Sequence, residues 1–255
     1  MAAGTQSLQQ ELLGLLKELH LPMFREYCAE WARKAAQEDL GYEHYLLELA
    51  RRECETRRYN KVERLLKTSR LPLEKTLAQF ELKRLPVKLR QQVRFLLEGS
   101  FLDRHENVLA FGKPGSGKTH LLCAICHELA RQGRRIYFAS CDLMVQELLR
   151  AKQELRLDKL LKKYARYEAL MIDDLGYVQQ NREEMEVLFT LLAQRYERGS
   201  LLITSNLPFS QWEAIFKDPM TTAAAIDRLV HHSVILELNV PSYRAEQARK
   251  RKQDR

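Results

Sequence analysis

Residues 107–119 read NVLAFGKPGSGKT, and no other stretch restricts the fold as tightly. A short apolar run leads into Gly112, Lys113, Pro114, Gly115, Ser116, Gly117, Lys118 and Thr119, which meet the pattern GxxxxGK followed by Ser or Thr at every position. The glycines let successive backbone N–H groups converge on phosphate oxygens, and a helix that follows turns its partial positive charge toward the same anion. Lys118 is expected to reach the β- and γ-phosphates, and the Thr119 hydroxyl to bind Mg²⁺. The stretch therefore asks for a strand before it, a helix after it, and ATP or ADP with Mg²⁺ held between them.

Four further short apolar runs follow: RIYFAS (135–140), EALMID (168–173), SLLITSN (200–206) and SVILEL (233–238). Helical spacing fills the gaps, and strands alternating with helices mark a parallel sheet with crossover helices. The expected fold class is α/β, a five-stranded parallel sheet flanked by helices. Ahead of it the chain reads as all helix. Leu12, Leu16 and Leu19 recur at helical spacing, as do Phe24, Cys28, Trp31 and Ala35 after Pro22, while Tyr42, Tyr45 and Tyr59 read as helix-packing residues. The expected organisation is a small helical domain over 1–70 for oligomerisation or DNA contact, and a linker with a lead-in helix over 71–106. The nucleotide-binding domain spans 107–243 and a basic tail 244–255.

The carboxyl ends of two strands carry the remaining chemistry. LMIDDLG places Asp173 where a carboxylate holds Mg²⁺ through its water shell, and Asp174 where it orients or deprotonates an attacking water. The plainer alternative is a pair of solvated acids capping a strand. ITSN brings Asn206 to the same sheet edge, where ligands of open α/β sheets gather. Its amide is expected to position the water against the γ-phosphate, unless it caps the helix beginning near Ser210. A metabolite kinase uses the same loop, but the strand ending in two acids favours water activation.

The chain has 42 Lys and Arg against 34 Asp and Glu, a formal charge of +8, which makes nucleic acid the first partner to consider. The charge is clustered. Residues 51–70 hold eight basic residues against three Glu, with Arg57, Lys61 and Arg64 on one helical face and Arg58 beside them. Residues 131–166 hold ten against four acids, and Lys152, Arg156, Lys159 and Lys163 are expected to form a second stripe on a helix. The tail RKRKQDR is a third patch. Such stripes suit phosphate contacts, which confer affinity without sequence preference.

Five cysteines, an odd number without a regular framework, fit a reducing compartment. No run approaches the roughly 18 apolar residues of a membrane span, and the N-terminus does not read as a signal peptide, so no membrane contact and a cytoplasmic location are expected. Cys123, Cys126 and His127 match short haem-attachment and redox patterns, yet on the helix after the loop they read as core.

The runs GKPGSGKTHLLCAI, LMIDDLGYVQQNREEMEVLFTLLAQRYERGSLLITSNLPFSQWEAIF and AAAIDRLVHHSVILELNVPSYR closely resemble the IstB-like ATPases, AAA+ P-loop NTPases encoded beside the transposase of certain insertion sequences. The DnaC helicase loaders share the same core. This resemblance implies ATP hydrolysis at subunit interfaces of a homo-oligomer, with duplex DNA and a cognate transposase as partners. It also implies that Arg228 acts as an arginine finger in a neighbour's site and that Arg244 senses the γ-phosphate. The alternative it leaves open is a helicase loader. Two departures stand out. The second acid of the strand motif is Asp174 where most AAA+ proteins carry Glu, which implies slow hydrolysis. Only about 17 residues follow the last strand, too few for a full C-terminal lid.

Overall fold

The computed structural model describes residues 2–176, 181–216, 218–243 and 245–246, and the chain divides into two compact units, residues 1–64 and 65–255. In the first, α1 (Ala2–Glu18), α2 (Pro22–Gln37) and the larger part of α3 (Tyr42–Ser69) enclose a small core of Leu16, Cys28, Trp31 and Leu49. Pro22 opens α2, where its missing N–H removes no helical bond. The buried Glu53 accepts from the Met23 N–H at 2.9 Å, satisfying one of the orphan donors at that helix start, and pairs with Arg57 at 2.7 Å. Of the three tyrosines expected to join helices, only Tyr45 does so, donating to the Cys28 carbonyl at 3.2 Å. Tyr42 and Tyr59 are exposed, as are Leu12 and Leu19.

The second unit is built on five parallel strands: β1 (Asn107–Phe111), β2 (Ile136–Ser140), β3 (Ala169–Leu175), β4 (Ser200–Ser205) and β5 (Ser233–Glu237), in the order β2-β3-β4-β1-β5. Successive side chains alternate between faces, so Leu170 and Ile172 enter one core while Ala169 and Met171 enter the other. Both faces are covered, which is why these strands read as nearly continuous apolar runs. One face carries α4 (Val87–Glu98), the short α5 (Ser100–Asp103) and α6 (Lys118–Arg131). The other carries α7 (Cys141–Gln153), α8 (Leu157–Tyr164), α9 (Arg182–Arg195), α10 (Glu213–Phe216) and α11 (Pro219–Val230).

Residues 71–106 are not the spacer that a linker would be. Leu71, Leu85, Leu89, Val93, Leu96, Phe101 and Leu102 are buried in the same core as β1 and α6, so this segment is an integral layer of the second unit. Its apolar spacing was interrupted by prolines and charges, which masked the continuity.

At the end of α9 the buried Arg195 donates to the carbonyls of Tyr167 (2.8 Å), Glu168 (2.9 Å), Ser200 (3.1 Å) and Tyr164 (3.4 Å). Burial pushes its guanidinium down to about 10.

Cys123 and Cys126 face Met171, with sulfur separations of 3.9 and 3.8 Å. Burial pushes the Cys123 thiol up to about 12 and Cys126 well above its ordinary value, so both stay protonated. His127 is buried against the Pro72 carbonyl at 3.0 Å. The trio is core. Among the five cysteines only Cys54 is exposed. A thiol-reactive dye is therefore expected to label one cysteine in the native protein and all of them in denaturant. Rapid native labelling of Cys123 or Cys126 would contradict this burial.

Candidate nucleotide site

The loop between β1 and α6 is shaped by close backbone approaches. A side chain on Gly112, at φ 150°, would place its Cβ 2.6 Å from the Leu238 carbonyl, and one on Gly115, at φ 79°, would meet the Ser242 hydroxyl at 2.2 Å. The Tyr243 N–H donates to the Gly115 carbonyl at 3.0 Å, so the segment after β5 lies on the loop. Lys118, the first residue of α6, is buried, and its ammonium donates to Asn206 Oδ1 (2.7 Å), Gly112 O (2.9 Å) and Lys113 O (3.2 Å). Asn206 is thus tied to the loop lysine, and the helix-cap alternative falls away, since the turn after it starts from Pro208.

At the end of β3 the pairing with β4 shifts between Ile172 and Leu175, and Asp174 adopts φ 59°. Bulges of this kind re-aim a side chain. Asp173 stays buried and accepts from the Thr204 hydroxyl at 2.6 Å, while the Asp174 N–H donates to that same hydroxyl at 2.8 Å. Thr204 therefore spaces the two acids. It escaped the sequence reading, although its place two residues before Asn206 on a strand puts both on one face.

A cavity of about 510 Å³ opens at this carboxyl edge, lined by Pro114, Gly115, Gly117, Lys118, Thr119, Asp174 and Asn206 together with Glu74, Lys75, His120 and Tyr243. Of the expected loop and strand-end residues, Gly112, Lys113, Ser116 and Asp173 are not part of its lining. The Ser116 hydroxyl is buried without a hydrogen-bond partner, as befits a loop shaped for a ligand with acceptor oxygens. These groups fit a nucleotide triphosphate, and Thr119 with Asp173 supplies the oxygen donors that Mg²⁺ prefers.

A second, smaller cleft adjoins the first, lined by Phe80, Arg84, Leu85, Gly117, His120, Val240 and Tyr243. Arg84 pairs with Glu246 at 2.8 Å, and its guanidinium lies 5.0 Å from the Tyr243 ring centroid. The ring of Phe80 meets that of His120 edge-on at 5.3 Å. No motif marked these residues in advance.

Arg228 does not line this cavity. It lies on α11, donates to the Ala224 carbonyl at 2.9 Å and stacks 5.0 Å from the Phe189 ring. Arg244 and the tail RKRKQDR lie outside the described residues.

The second basic stripe needs correction. α7 ends at Gln153, Leu155 turns the chain at φ 56°, and α8 begins at Leu157, so Lys152 and Lys159 do not share a helix. Lys152 pairs with Glu186, Lys163 with Glu147 and Arg156 with Glu154. The turn instead gathers Arg150, Arg156, Lys159, Lys162, Lys163 and Arg166 around a hollow of about 880 Å³, against Glu147, Glu154 and Asp158. In the first unit Arg57 is engaged by Glu53 and the His20 carbonyl, while Arg58, Lys61 and Arg64 are exposed on α3. Among the described residues no helix is long and apolar enough to cross a membrane.

The sheet order, the glycine-bent loop and the acids at the carboxyl edge define a nucleotide-binding protein of the AAA+ P-loop class. Residues 14–251 match the family model described as IstB-like ATP binding protein, and the chain belongs to that family. It is 39% identical to a putative insertion sequence ATP-binding protein of Sinorhizobium fredii, over 94% of this chain and 81% of that one. The IS21 putative ATP-binding protein of Pseudomonas aeruginosa is 38% identical over 94% and 89%. Among solved structures, the DnaC helicase loader superposes with a TM-score of 0.56 at 17% identity, over 65% of this chain and 97% of that one. AMPPCP-bound DnaA from Aquifex aeolicus gives 0.56 at 18%, over 72% of this chain and 56% of that one.

Proposed function

We propose that the protein is an ATP-dependent helper of transposition that assembles on duplex target DNA, recruits or stimulates a cognate transposase, and resets the assembly by hydrolysing ATP. The observation that carries this reading is the convergence of Lys118, Thr119, Asp174 and Asn206 on one cavity, in a chain of a family whose relatives are insertion-sequence ATP-binding proteins.

In this reading the loop N–H groups and Lys118 take the phosphates, with the lysine exchanging its loop carbonyls for phosphate oxygens. Phe80, Leu85, Val240 and Tyr243 border the base. Thr119 and Asp173 would hold Mg²⁺, which neutralises phosphate charge. Asp174 accepts the proton of the attacking water and Asn206 orients it, both steadied through Lys118 and Thr204. Arg228 completes the site of a neighbouring copy, and Arg244 reads the γ-phosphate. The cationic hollow at the α7–α8 turn and the exposed cations of α3 are the DNA-phosphate contacts, giving weak sequence preference and steep salt dependence.

Mobility of labelled duplex and single-stranded DNA, at fixed salt with ATP, ADP or no nucleotide, tests the proposal. ATP-dependent binding to duplex of arbitrary sequence is the expected result, and Lys118→Ala should abolish it. Undiminished ATP-dependent binding by that variant would sink the switch mechanism. The structural likeness to the DnaC helicase loader favours one rival. Preference for single strands, or binding only with a replicative helicase present, would move the reading there.

A further inference from the structure

The opposite edge of the sheet carries a second cluster of donor side chains. Glu197 lies two residues beyond the end of α9, and His231 and His232 follow α11. One ligand atom from each falls within 4.8 Å of the other two, and all three side chains are exposed. We propose that Glu197, His231 and His232 form a binding site for a divalent transition-metal ion of the Zn²⁺ class.

The donor chemistry separates this site from the nucleotide cavity. Two imidazoles and a carboxylate suit Zn²⁺ and its neighbours, whereas Mg²⁺ prefers oxygen donors in an octahedron. Three protein ligands form a recognised zinc set that leaves a fourth position for water. Tetrahedral zinc with bonds of about 2.0–2.1 Å needs donor atoms roughly 3.4 Å apart. The exposed side chains therefore have to close by about 1 Å, which rotation about their own bonds supplies.

The scaffold beneath the donors is fixed. The Asn107 N–H, at the start of β1, donates to the His232 carbonyl at 2.7 Å. The Asn107 side chain donates to the Leu229 carbonyl at 3.1 Å and accepts from the Leu201 N–H at 2.9 Å. One residue thus pins the end of α11 and the start of β4. The Tyr196 hydroxyl lies 3.0 Å from His231 Nδ1. In the tautomer where Nδ1–H donates to that oxygen, Nε2 presents its lone pair outward, the outer-shell arrangement usual for a metal-bound histidine. A bound ion would tie the turn after α9 to the end of α11, one helical turn beyond Arg228.

The test is calorimetric titration of the untagged, full-length protein with Zn²⁺, in excess Mg²⁺ and ADP so that the nucleotide cavity is filled. One ion per chain is expected, together with a rise in the thermal midpoint. Each of His231→Ala, His232→Ala and Glu197→Gln should weaken binding at least about 10- to 100-fold, the range that loss of even an outer-shell partner produces. Tyr196→Phe should weaken it less. Because the three donors are exposed, the variants should melt like the parent in chelator, which separates loss of a ligand from loss of fold. Absence of zinc binding by the parent, or undiminished binding by a His231→Ala/His232→Ala double variant, would overturn the site.

Discussion

An Arg228→Ala variant is expected to bind ATP as the parent does and to hydrolyse it about 10³- to 10⁵-fold more slowly, the range an arginine finger contributes. Within its own chain Arg228 is held by the Ala224 carbonyl and the Phe189 ring and does not line the cavity that holds Asp174. Its expected contribution is therefore to the γ-phosphate of another copy. That makes a mixing experiment decisive. Arg228→Ala and Asp174→Asn are each expected to be inactive alone. Combined, they should recover part of the parent's turnover, because some interfaces then pair an intact arginine with an intact acid. Undiminished turnover in Arg228→Ala would remove the residue from the chemistry, and loss without rescue on mixing would confine its role to its own chain.

Arg195→Met should unfold far more readily than the parent. Truncating the guanidinium removes a donor from four carbonyls, those of Tyr164, Tyr167, Glu168 and Ser200, of which Tyr164 and Glu168 each keep a backbone N–H. A buried polar group left unsatisfied costs about 1–3 kcal/mol; with two of the four still bonded and the group not independent, a total on the order of 3–6 kcal/mol is expected. For a unit of this size that corresponds to a fall in Tm of roughly 6–24 °C. Chemical denaturation with an unchanged m-value would read this as lost stability rather than altered compactness. A midpoint within a degree or so of the parent's would mean that water replaces the guanidinium at little cost.

The five strands could be located from residue order because each is an apolar run, and three of them close on a residue with chemistry: Gly112, Asp173, Asn206. A parallel sheet buried on both faces leaves little else for such runs to become. The fold and family expectations agree with what the structure and the relatives show. Other features were hidden for physical reasons. The role of residues 71–106 depends on packing against α6 and β5, distant in sequence, and so leaves no local period. Thr204 acts through two hydrogen bonds to the neighbouring strand, and no spacing reports a partner across strands. The basic stripe failed at Leu155, whose left-handed turn no glycine or proline announced. The exposed tyrosines of α3 show the converse error, since helical spacing says which residues share a face but not whether anything covers it.

The approach of Ser242 to Gly115 has a hereditary consequence. Position 115 admits no side chain both because its backbone lies at φ 79° and because the segment after β5 lies against it. Shrinking Ser242 to glycine relieves the second restriction and leaves the first. Position 115 therefore stays glycine whatever stands at 242, whereas the size of residue 242, 127 residues further along the chain, is limited by how closely the segment after β5 lies on the loop.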